Sequence, residues 1–566
     1  MDAAPIAQRR DLTEIALFAG VGLLYFFTFA SIPTADGAWY IGSIDKPDFK
    51  SILDATSAGT QVSMYLLTRL LAGLGVHVPT LTLIQSVNAI AAATGAVIFY
   101  RVLRLLGDRL TGALGAALLA TSFGYWYFAN GERQHLSLVV LLLIFWALVR
   151  ARVKGIELDW KLAAAMGLLN AVAVALRQEN FLFGLAAIAL LGSGRPWRSA
   201  LREGGTYFAA GAVGTFVLAA MLALCAVSFG TKTFSNYVSY YFTWLADYTK
   251  NPQDYQGFAH ATSFDIPRAV KGQLTALVVG TQAVMDAARG LVAFTHRKVA
   301  SLVAMTALIG LLMIMSLVDL WLARSRIRGP YRAVAIGCVA WLVPYAILHA
   351  LFWPTVTKYQ VVTLPPLILL LMLGALASHA SAGRPVGAIP ASTWRVLVLL
   401  VLVCAVNVWG GIRPWYQYGR WKERLAAAAS REFRPSDFFI SSESGIDAVL
   451  HRDDNYLTVK DEFLEAADDT AFSTIWITVR DRLDRNQRVF VYNFVPSAFT
   501  MVGINQAPMR GPRPLSPRDF ESFFERLRAT YATRQVFSYW EESKAPLYLF
   551  GESLEPFWEL AARPPA

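Results

Sequence analysis

Apolar residues recur in long runs through the first 411 residues of the chain, separated by short polar connections. Because a helix needs about 20 apolar residues to cross the hydrocarbon core of a bilayer, each run predicts a membrane-spanning helix. The runs lie near residues 13–31, 79–100, 110–128, 136–150, 161–176, 180–193, 206–229, 300–322, 333–351, 360–378 and 394–411. This pattern predicts a polytopic α-helical membrane protein with about 11 spans.

Two stretches between these runs are long enough to form folded outer loops. The first covers residues 32–78 and the second covers residues 230–299. Within the second loop, residues 270–298 are apolar enough to resemble a further span, but Asp286 and Arg289 interrupt them. We interpret this stretch as an interfacial or re-entrant helix.

The pattern changes after residue 411. Short strand-like runs near 436–450, 488–495 and 546–553 accompany a helical pattern at 516–532. Strands mixed with helices are typical of a small α/β unit. The sequence therefore predicts a transmembrane domain over 1–411 and a soluble α/β domain over 412–566.

The composition agrees with a membrane protein, because 55% of the residues are hydrophobic and only 16% are charged. The formal net charge of +11 raises the alternative of nucleic-acid binding. The basic residues punctuate the apolar runs and form no soluble patch, so we expect no nucleic-acid partner. They suit loops that face the anionic headgroups of a bilayer.

Positive charge also orients the spans, since Lys and Arg collect in cytoplasmic loops. Four connections carry clusters of basic residues: Arg101, Arg104 and Arg109; Arg150, Arg152, Lys154 and Lys161; Arg195, Arg198 and Arg202; and Arg324, Arg326, Arg328 and Arg332. A cytoplasmic N-terminus with eleven spans places all four clusters in the cytoplasm. The same topology sends the C-terminal domain to the opposite side.

Ionisable residues recur at the outer ends of the spans. They are Asp36; Glu132, Arg133 and His135; Arg177 and Glu179; and His349 and Lys358, with Tyr359 beside them. A charge at membrane depth costs about 2.5–3.5 kcal/mol on insertion scales, so such residues are rarely idle. Each one taken alone could instead anchor a helix end by snorkelling. Together they predict an outward-facing cavity that contains carboxylates and cations.

Transfer of a sugar from a lipid-linked phosphate matches such a cavity. A positioned carboxylate accepts the proton of the acceptor hydroxyl, and Arg or Lys stabilises the charge of the departing lipid phosphate. The lipid tail remains in the bilayer, so this reaction takes place at the interface.

Several stretches resemble the GT-C superfamily of polyprenyl-phosphate-sugar-dependent glycosyltransferases, and most of all its protein O-mannosyltransferase and aminoarabinose-transferase type. "ADGAWYIGSI" resembles the family's acidic first outer loop, and "TKYQVVTLPPLILLLMLGAL" resembles its late span, with Lys358 where Arg is frequent. The similarity covers roughly residues 12–200 and 340–380. It implies a bacterial plasma-membrane enzyme with Asp36 as the general base and an outer-face glycan, lipid or protein as acceptor.

Departures from the family pattern leave the site assignment open in part. Gly37 follows Asp36 where many members have a second acid, and Asp45, Asp48 and Asp54 are further acids of this loop. Asp36 and Glu132 are the predicted catalytic residues. The predicted donor-phosphate and substrate-binding residues are Arg133, His135, Arg177, Glu179, Lys358, Tyr359 and Tyr40. Asp36, Glu132 and His135 could also hold a divalent cation, but Arg and Lys can bind a lipid monophosphate without a metal, so no cofactor is required.

Two other classes of function remain as alternatives. A glycolipid transporter or flippase is one, although such proteins favour paired inverted halves with broken helices, and the chain shows no matching halves. A non-catalytic membrane scaffold whose outer domain binds a partner is the other. Such a scaffold would tolerate the loss of Asp36.

Overall fold

The computed structural model describes the following residues: 12–31, 35–53, 58–132, 134–156, 159–250, 266–281, 284, 297–325, 327–352, 357–380, 391–413, 415–416, 419–420, 423, 427, 431–434, 436–441, 456–458, 469–492, 525–539 and 555–562. Its α-helices are α1 (Leu12–Thr28), α2 (Ala35–Asp45), α3 (Phe49–Ile52), α4 (Ala58–Gly73), α5 (Thr80–Leu106), α6 (Arg109–Thr121), α7 (Phe123–Tyr127), α8 (Gln134–Val153), α9 (Trp160–Leu176), α10 (Phe183–Gly192), α11 (Trp197–Ser228), α12 (Phe234–Lys250), α13 (Ile266–Leu277), α14 (Arg297–Leu322), α15 (Pro330–Phe352), α16 (Leu364–Ala380), α17 (Ala391–Asn407) and α18 (Asp469–Asp484). Three 3₁₀ segments cover Phe128–Asn130, Gln178–Leu182 and Thr357–Thr363, and a π-helical turn covers Val408–Ile412.

Each predicted span coincides with an apolar helix. Within the described residues, 7 helices are long and apolar enough to cross a membrane, and α1, α6, α9 and the segment Gln178–Gly192 are shorter apolar helices. The prediction of a polytopic helical membrane protein is therefore confirmed. The apolar runs coincide with the helices because side chains that face either the lipid or the interior of the bundle must be apolar.

Contacts at both ends of the bundle show that the helices alternate in direction. At one end, Arg101 at the finish of α5 pairs with Glu14 at the start of α1 (2.6 Å), and the Tyr331 hydroxyl of α15 donates to the Leu106 carbonyl (2.9 Å). At the other end, Asn130 accepts a hydrogen bond from the backbone N–H of Ala30, just past α1 (3.0 Å). We name these the basic end and the site end of the bundle. The four basic clusters of the sequence all belong to connections at the basic end.

Local sequence explains where several helices begin and how closely they pack. Asp108 and Asp159 accept hydrogen bonds from Thr111 N and Leu162 N, respectively, both at 2.7 Å, and so cap α6 and α9. Gly167 of α9 lies against the backbone of Tyr207 in α11, where a Cβ atom would have no room. Small residues at such a crossing let two helix backbones approach closely.

The helices of the two outer loops form a layer at the site end. Tyr237 and Tyr241 of α12 are buried in a cluster with Ala219 and Ala223 of α11. Phe49 of α3 stacks on Phe229 with ring centroids 3.8 Å apart. These aromatic contacts fix both predicted outer loops to α11.

The helix α4 also reaches the end of α9. Gly59 lies directly against the Ala175 carbonyl, where a Cβ would clash with backbone atoms. The hydroxyl of Thr60 donates to the Leu176 carbonyl (3.1 Å). The first outer loop is therefore held beside Arg177, the residue that follows α9.

The stretch that the sequence assigns to an interfacial or re-entrant helix enters the bundle. Leu277, Val278 and Val279, at and just after the end of α13, are fully buried in the main core. The side chain of Asn407 holds this backbone: its Oδ1 accepts from Val279 N (2.9 Å), and its Nδ2 donates to the carbonyls of Leu277 and Thr121 (both 2.8 Å). The re-entrant interpretation thus agrees with the described part, while residues 285–296, including Asp286 and Arg289, lie outside it.

We expect Asn407→Ala to lower the free energy of unfolding by on the order of 3 kcal/mol, because buried backbone groups lose their partners. Asn170→Ala is the matched control, since Asn170 is also a buried asparagine but its Oδ1 accepts no hydrogen bond. Thermal unfolding of the two variants in the same detergent measures the difference. Equal melting temperatures would contradict this role for Asn407.

The described C-terminal residues contain a five-stranded mixed sheet in the order β2-β1-β3-β5-β4. Its strands are β1 (Phe438–Ser441), β2 (Tyr456–Thr458), β3 (Val489–Tyr492), β4 (Ala532–Tyr539) and β5 (Glu555–Ala561). Strand β1 runs parallel to β2 and β3, and β5 runs antiparallel to β3 and β4. Ile475 and Val479 of α18 pack against Phe438 and Val489 to form its core.

The expectation of an α/β fold after the bundle is therefore confirmed, with differences in detail. The predicted runs at 436–450 and 488–495 contain β1 and β3. The run at 546–553 lies outside the described residues, as does most of the predicted helix at 516–532. Strands β2, β4 and β5 were not predicted.

Candidate active site

A group of buried charged and aromatic residues lies at the site end of the bundle. Arg177 forms an ion pair with Glu179, and its guanidinium lies over the ring of Tyr359, 5.2 Å from the centroid. The Nζ atom of Lys358 lies 5.1 Å from the centroid of the same ring. Arg177, Glu179 and Lys358 are each less than 10% exposed. The bundle thus brings together residues 177–179 and 358–359, which are far apart in sequence.

Tyr40 joins this group from the first outer loop. Burial alone lowers the pKa of Arg177, but the Glu179 carboxylate and the hydroxyls of Tyr359 and Tyr40 raise it, and the net shift is upward. The guanidinium therefore remains charged in the connection between α9 and α10. We name Tyr40, Arg177, Glu179, Lys358 and Tyr359 the cationic cluster.

A set of polar contacts supports the cationic cluster. The Tyr345 hydroxyl donates to Asn180 Oδ1 (3.1 Å), and Asn180 Nδ2 donates to the Ala173 carbonyl (2.9 Å). His349 and Gln360 hydrogen-bond through Nδ1 and Oε1 at 2.9 Å. These bonds tie the 3₁₀ segments Gln178–Leu182 and Thr357–Thr363, which carry Glu179 and Tyr359, to α9 and α15, so the charged groups keep a fixed geometry.

The second outer loop also contacts this region. Gln178, between the two members of the ion pair, donates from Nε2 to the Tyr241 carbonyl of α12 (2.9 Å). Helix α12 is therefore held against the connection between α9 and α10.

A second polar region surrounds the exit of α1. Asn130 Oδ1 accepts from Gln85 Nε2 (2.8 Å) as well as from Ala30 N, and Gln85 Nε2 also donates to the Ala30 carbonyl (2.8 Å). One turn further along α5, Asn88 Nδ2 donates to the carbonyl of Glu132 (2.7 Å). These bonds fix both the start of the loop that carries Asp36 and the backbone of Glu132. The side chain of Glu132 is buried.

His135 occupies a packed position in this second region. Its Nε2 hydrogen-bonds with the carbonyl of Tyr125 (2.7 Å), and its ring meets the Tyr125 ring edge-on at 4.9 Å. The Tyr125 hydroxyl in turn donates to the Ala92 carbonyl (2.9 Å). These contacts support a packing role for His135, and its substrate-binding role stays a prediction.

The acids of the first outer loop have distinct surroundings. Asp45 accepts a hydrogen bond from the Thr80 hydroxyl. Asp48 caps α3, where it accepts from Lys50 N (3.1 Å) and the Ser51 hydroxyl (2.5 Å). Asp36 lies in the first turn of α2, one turn before Tyr40. The side chain of Asp36, all of Asp54 and all of Arg133 lie outside the described residues.

Asp45 and Asp48 therefore each have a structural partner. The role of Asp36 as the general base stays a prediction. No group of three or more His, Cys, Asp and Glu side chains in the described part of the chain could hold a metal ion. Since that part excludes the Asp36 side chain, the predicted metal option for Asp36, Glu132 and His135 stays untested.

The sequence pattern found the charged members of the site but missed their supporting contacts. Asn180, Gln360 and Tyr345 are buried polar residues. Gln360 and Tyr345 interrupt apolar runs, and this interruption was the available signal. Their pairing depends on how the segments Gln178–Leu182 and Thr357–Thr363 meet α15, and no local pattern in the sequence contains this information.

The comparisons with known proteins give a structural likeness and no sequence match. No protein-family model matches the chain, and no curated protein matches it either. The apo structure of ArnT from Cupriavidus metallidurans is 11% identical with a TM-score of 0.51, and the match covers 96% of this chain and 97% of that one. The same ArnT bound to undecaprenyl phosphate gives 11% identity, a TM-score of 0.46 and the same coverage.

Arabinofuranosyltransferase AftD from Mycobacteria is also similar, at 13% identity and a TM-score of 0.44, over 100% of this chain and 42% of that one. The likeness to the apo ArnT structure extends over nearly the full length of both chains. The chain therefore shares the fold of the ArnT structure, which agrees with the GT-C fold that the resemblance of its sequence motifs implied.

Proposed function

We propose that this protein is a membrane glycosyltransferase that transfers a sugar from a polyprenyl-phosphate donor to an acceptor at the outer face of the membrane. The acceptor is a cell-envelope glycan, a lipid or a protein. The observation that carries the proposal is the cationic cluster, in which the buried side chains of Arg177 and Lys358 both lie at the ring of Tyr359. Two cations held close together in this way suit the binding of a phosphate group. The ArnT fold supports the proposal, since that protein has also been solved with undecaprenyl phosphate.

The proposed reaction breaks the bond between C1 of the sugar and the phosphate oxygen of the donor. The acceptor oxygen attacks C1 while its proton passes to the Asp36 carboxylate. The electron pair of the broken bond stays on polyprenyl phosphate, whose growing charge Arg177, Lys358 and Arg133 stabilise. The products are the glycosylated acceptor and free polyprenyl phosphate.

The other predicted residues orient the substrates. Glu179 holds Arg177 in place, and Tyr359 and Tyr40 pack beside the guanidinium and offer hydroxyls to the sugar. Glu132 and His135 lie on the side of the site nearest the exit of α1, with Glu132 as the second candidate for proton transfer. Arg and Lys neutralise the phosphate in this scheme, so it requires no metal.

In the proposed topology the enzyme lies in a bacterial plasma membrane with the basic end in the cytoplasm. Residues 1–411 form the catalytic domain, and residues 412–566 form the outer domain in the periplasm or outside the cell. The charge bias between the two bundle ends supports this orientation.

Cysteine labelling tests this orientation. In a variant with Cys225, Cys338 and Cys404 replaced, a single cysteine at Ser473 of α18 should react with a membrane-impermeant thiol reagent in intact cells. A cysteine at Ser325, in the basic-end connection between α14 and α15, should react only after the membrane is opened. Labelling of the Ser325 site alone in intact cells would show that the protein has the opposite orientation in the membrane.

A transfer assay tests the proposed activity. Purified protein in liposomes is incubated with a panel of polyprenyl-phosphate sugars and with membrane extract as the source of acceptors, and the products are identified by mass spectrometry. The proposal expects one donor class to yield a new glycosylated product. A transporter would instead move donor between leaflets without cleaving it, and a scaffold would leave the donor unchanged.

A further inference from the structure

A cavity lies beside the second polar region and shares Gln85 and Ala30 with it. Its volume is about 320 Å³, which is within the range of small-molecule sites. It is bounded by the end of α1, the first two turns of α5 and the segment that follows the bundle. Its lining residues are Phe26, Phe29, Ala30, Ser31, Thr82, Gln85, Ser86, Tyr416, Arg420 and Glu423. We name it the α1/α5 groove.

The lining of the α1/α5 groove offers both donors and acceptors of hydrogen bonds. Ser31, Thr82 and Ser86 contribute hydroxyls, and Arg420 and Glu423 contribute opposite charges. The guanidinium of Arg420 lies over the ring of Tyr416, 5.4 Å from its centroid. A polyhydroxylated sugar matches such a lining, because each hydroxyl both donates and accepts and a sugar face packs on an aromatic ring. A phosphate fits less well, since the Glu423 carboxylate repels it.

The mouth of the groove faces the lipid. Phe26 lines the groove and is 60% exposed, and its neighbour Phe27 is 70% exposed. Both lie on α1, one of the apolar helices of the bundle. A ligand that enters past Phe26 therefore has an apolar part. This feature favours a lipid-anchored sugar over a soluble one.

The groove shares its wall with the candidate active site. Gln85 lines the groove and bonds to Asn130, while Asn88, one turn along α5, holds the carbonyl of Glu132. Ser31 at the groove edge is five residues before Asp36. The segment that follows the bundle packs closely against the end of α1, since a Cβ on Gly419 would lie only 3.0 Å from the Ser31 hydroxyl.

We propose that the α1/α5 groove binds the carbohydrate headgroup of a membrane-anchored glycolipid, which is the acceptor of the reaction. This inference rests on the proposed function and narrows its acceptor class to a lipid. The donor then occupies the cationic cluster and the acceptor approaches from the α1 side. In the sequence, Asp36 lies between Ser31, which lines the groove, and Tyr40, which belongs to the cationic cluster.

Photo-crosslinking in nanodiscs tests the groove without requiring turnover. The probes are a glucosyl diacylglycerol and a phosphatidic acid, each with the same diazirine-bearing acyl chain, and the protein carries Asp36→Asn so that no sugar is transferred. We expect the glucosyl lipid to label peptides that contain residues 23–31, 80–90 or 415–423 more strongly than phosphatidic acid does. Loss of a charge-assisted hydrogen bond in Arg420→Ala should reduce this labelling about tenfold.

A substitution that fills the groove has a matched control on the same helix. Ser86→Trp should reduce labelling by the glucosyl lipid to the background level, while Ile90→Trp, one turn away on the lipid-exposed surface of α5, should leave it unchanged. Both positions are accessible at the helix surface, so both variants should fold. Equal labelling by the two lipids, preferential labelling by phosphatidic acid, or full labelling of Ser86→Trp would overturn the proposal.

Soluble maltose in large excess serves as the last arm of this experiment. It should not displace the glucosyl lipid, and displacement would assign the groove to a soluble glycan instead. Binding is measured here apart from catalysis. Selective labelling of the groove, together with no sugar transfer by the unsubstituted protein in the transfer assay, would therefore refute the proposed function and leave glycolipid binding in the groove intact.

Discussion

Replacement of Asp36 by asparagine is expected to reduce single-turnover sugar transfer by about 10²–10⁴-fold, the usual cost of losing a general base. Asparagine preserves the shape of the side chain but cannot accept the proton of the acceptor hydroxyl. It is also a good residue near a helix N-terminus, so α2 should form as before. Donor binding and thermal stability should therefore remain close to those of the unsubstituted protein.

Two other acids of the same loop provide matched controls. Asp45 bonds to the Thr80 hydroxyl and Asp48 caps α3, so Asp45→Asn and Asp48→Asn should change stability slightly and transfer little. Transfer at a near-normal rate by Asp36→Asn would remove Asp36 from the mechanism. A large loss in Glu132→Gln in that case would assign the proton transfer to Glu132.

Replacement of Arg177 by alanine is expected to weaken both the reaction and the fold. Loss of one preorganised donor to the leaving phosphate costs about 2–4 kcal/mol of transition-state stabilisation. The same change leaves the buried Glu179 carboxylate without its partner, which destabilises a protein by about 3–5 kcal/mol. Single-turnover rates per folded molecule and thermal unfolding measure the two effects separately.

A double variant distinguishes a catalytic Arg177 from a structural ion pair. In Arg177→Ala with Glu179→Gln, no unpaired charge remains, so most of the lost stability should return. Transfer should stay low, because the phosphate still lacks the guanidinium. Recovery of both stability and transfer in the double variant would show that the pair only supports the fold.

The charged residues at the site end could be predicted from the sequence, because charges are costly among apolar runs. Arg177, Glu179, Lys358 and Tyr359 were each recognised as polar residues at the outer end of a span, and the structure places all four together. Residues that have only a local structural role, such as Asp48, which caps α3, cannot be told apart from site residues in the sequence. Only the fold separates them from the cluster.

Other features depend on distant contacts that no local pattern contains. The insertion of Leu277 to Val279 into the core relies on a side chain 128 residues or more away, Asn407. Strand β5 pairs with β3 on one side and with β4 on the other, in a register that the alternation of these strands does not fix. Strand β2 has only 3 residues, too few for any periodicity to appear.

The central claim is that the chain cleaves a polyprenyl-phosphate sugar and passes the sugar to an acceptor. The most direct measurement is the amount of free polyprenyl phosphate formed per sugar transferred, with purified protein in liposomes and a donor labelled in both its lipid and its sugar. The account predicts equal amounts of the two products, both greatly reduced in Asp36→Asn. Intact donor that only changes leaflets, or release of polyprenyl phosphate at the same rate in Asp36→Asn, would contradict it.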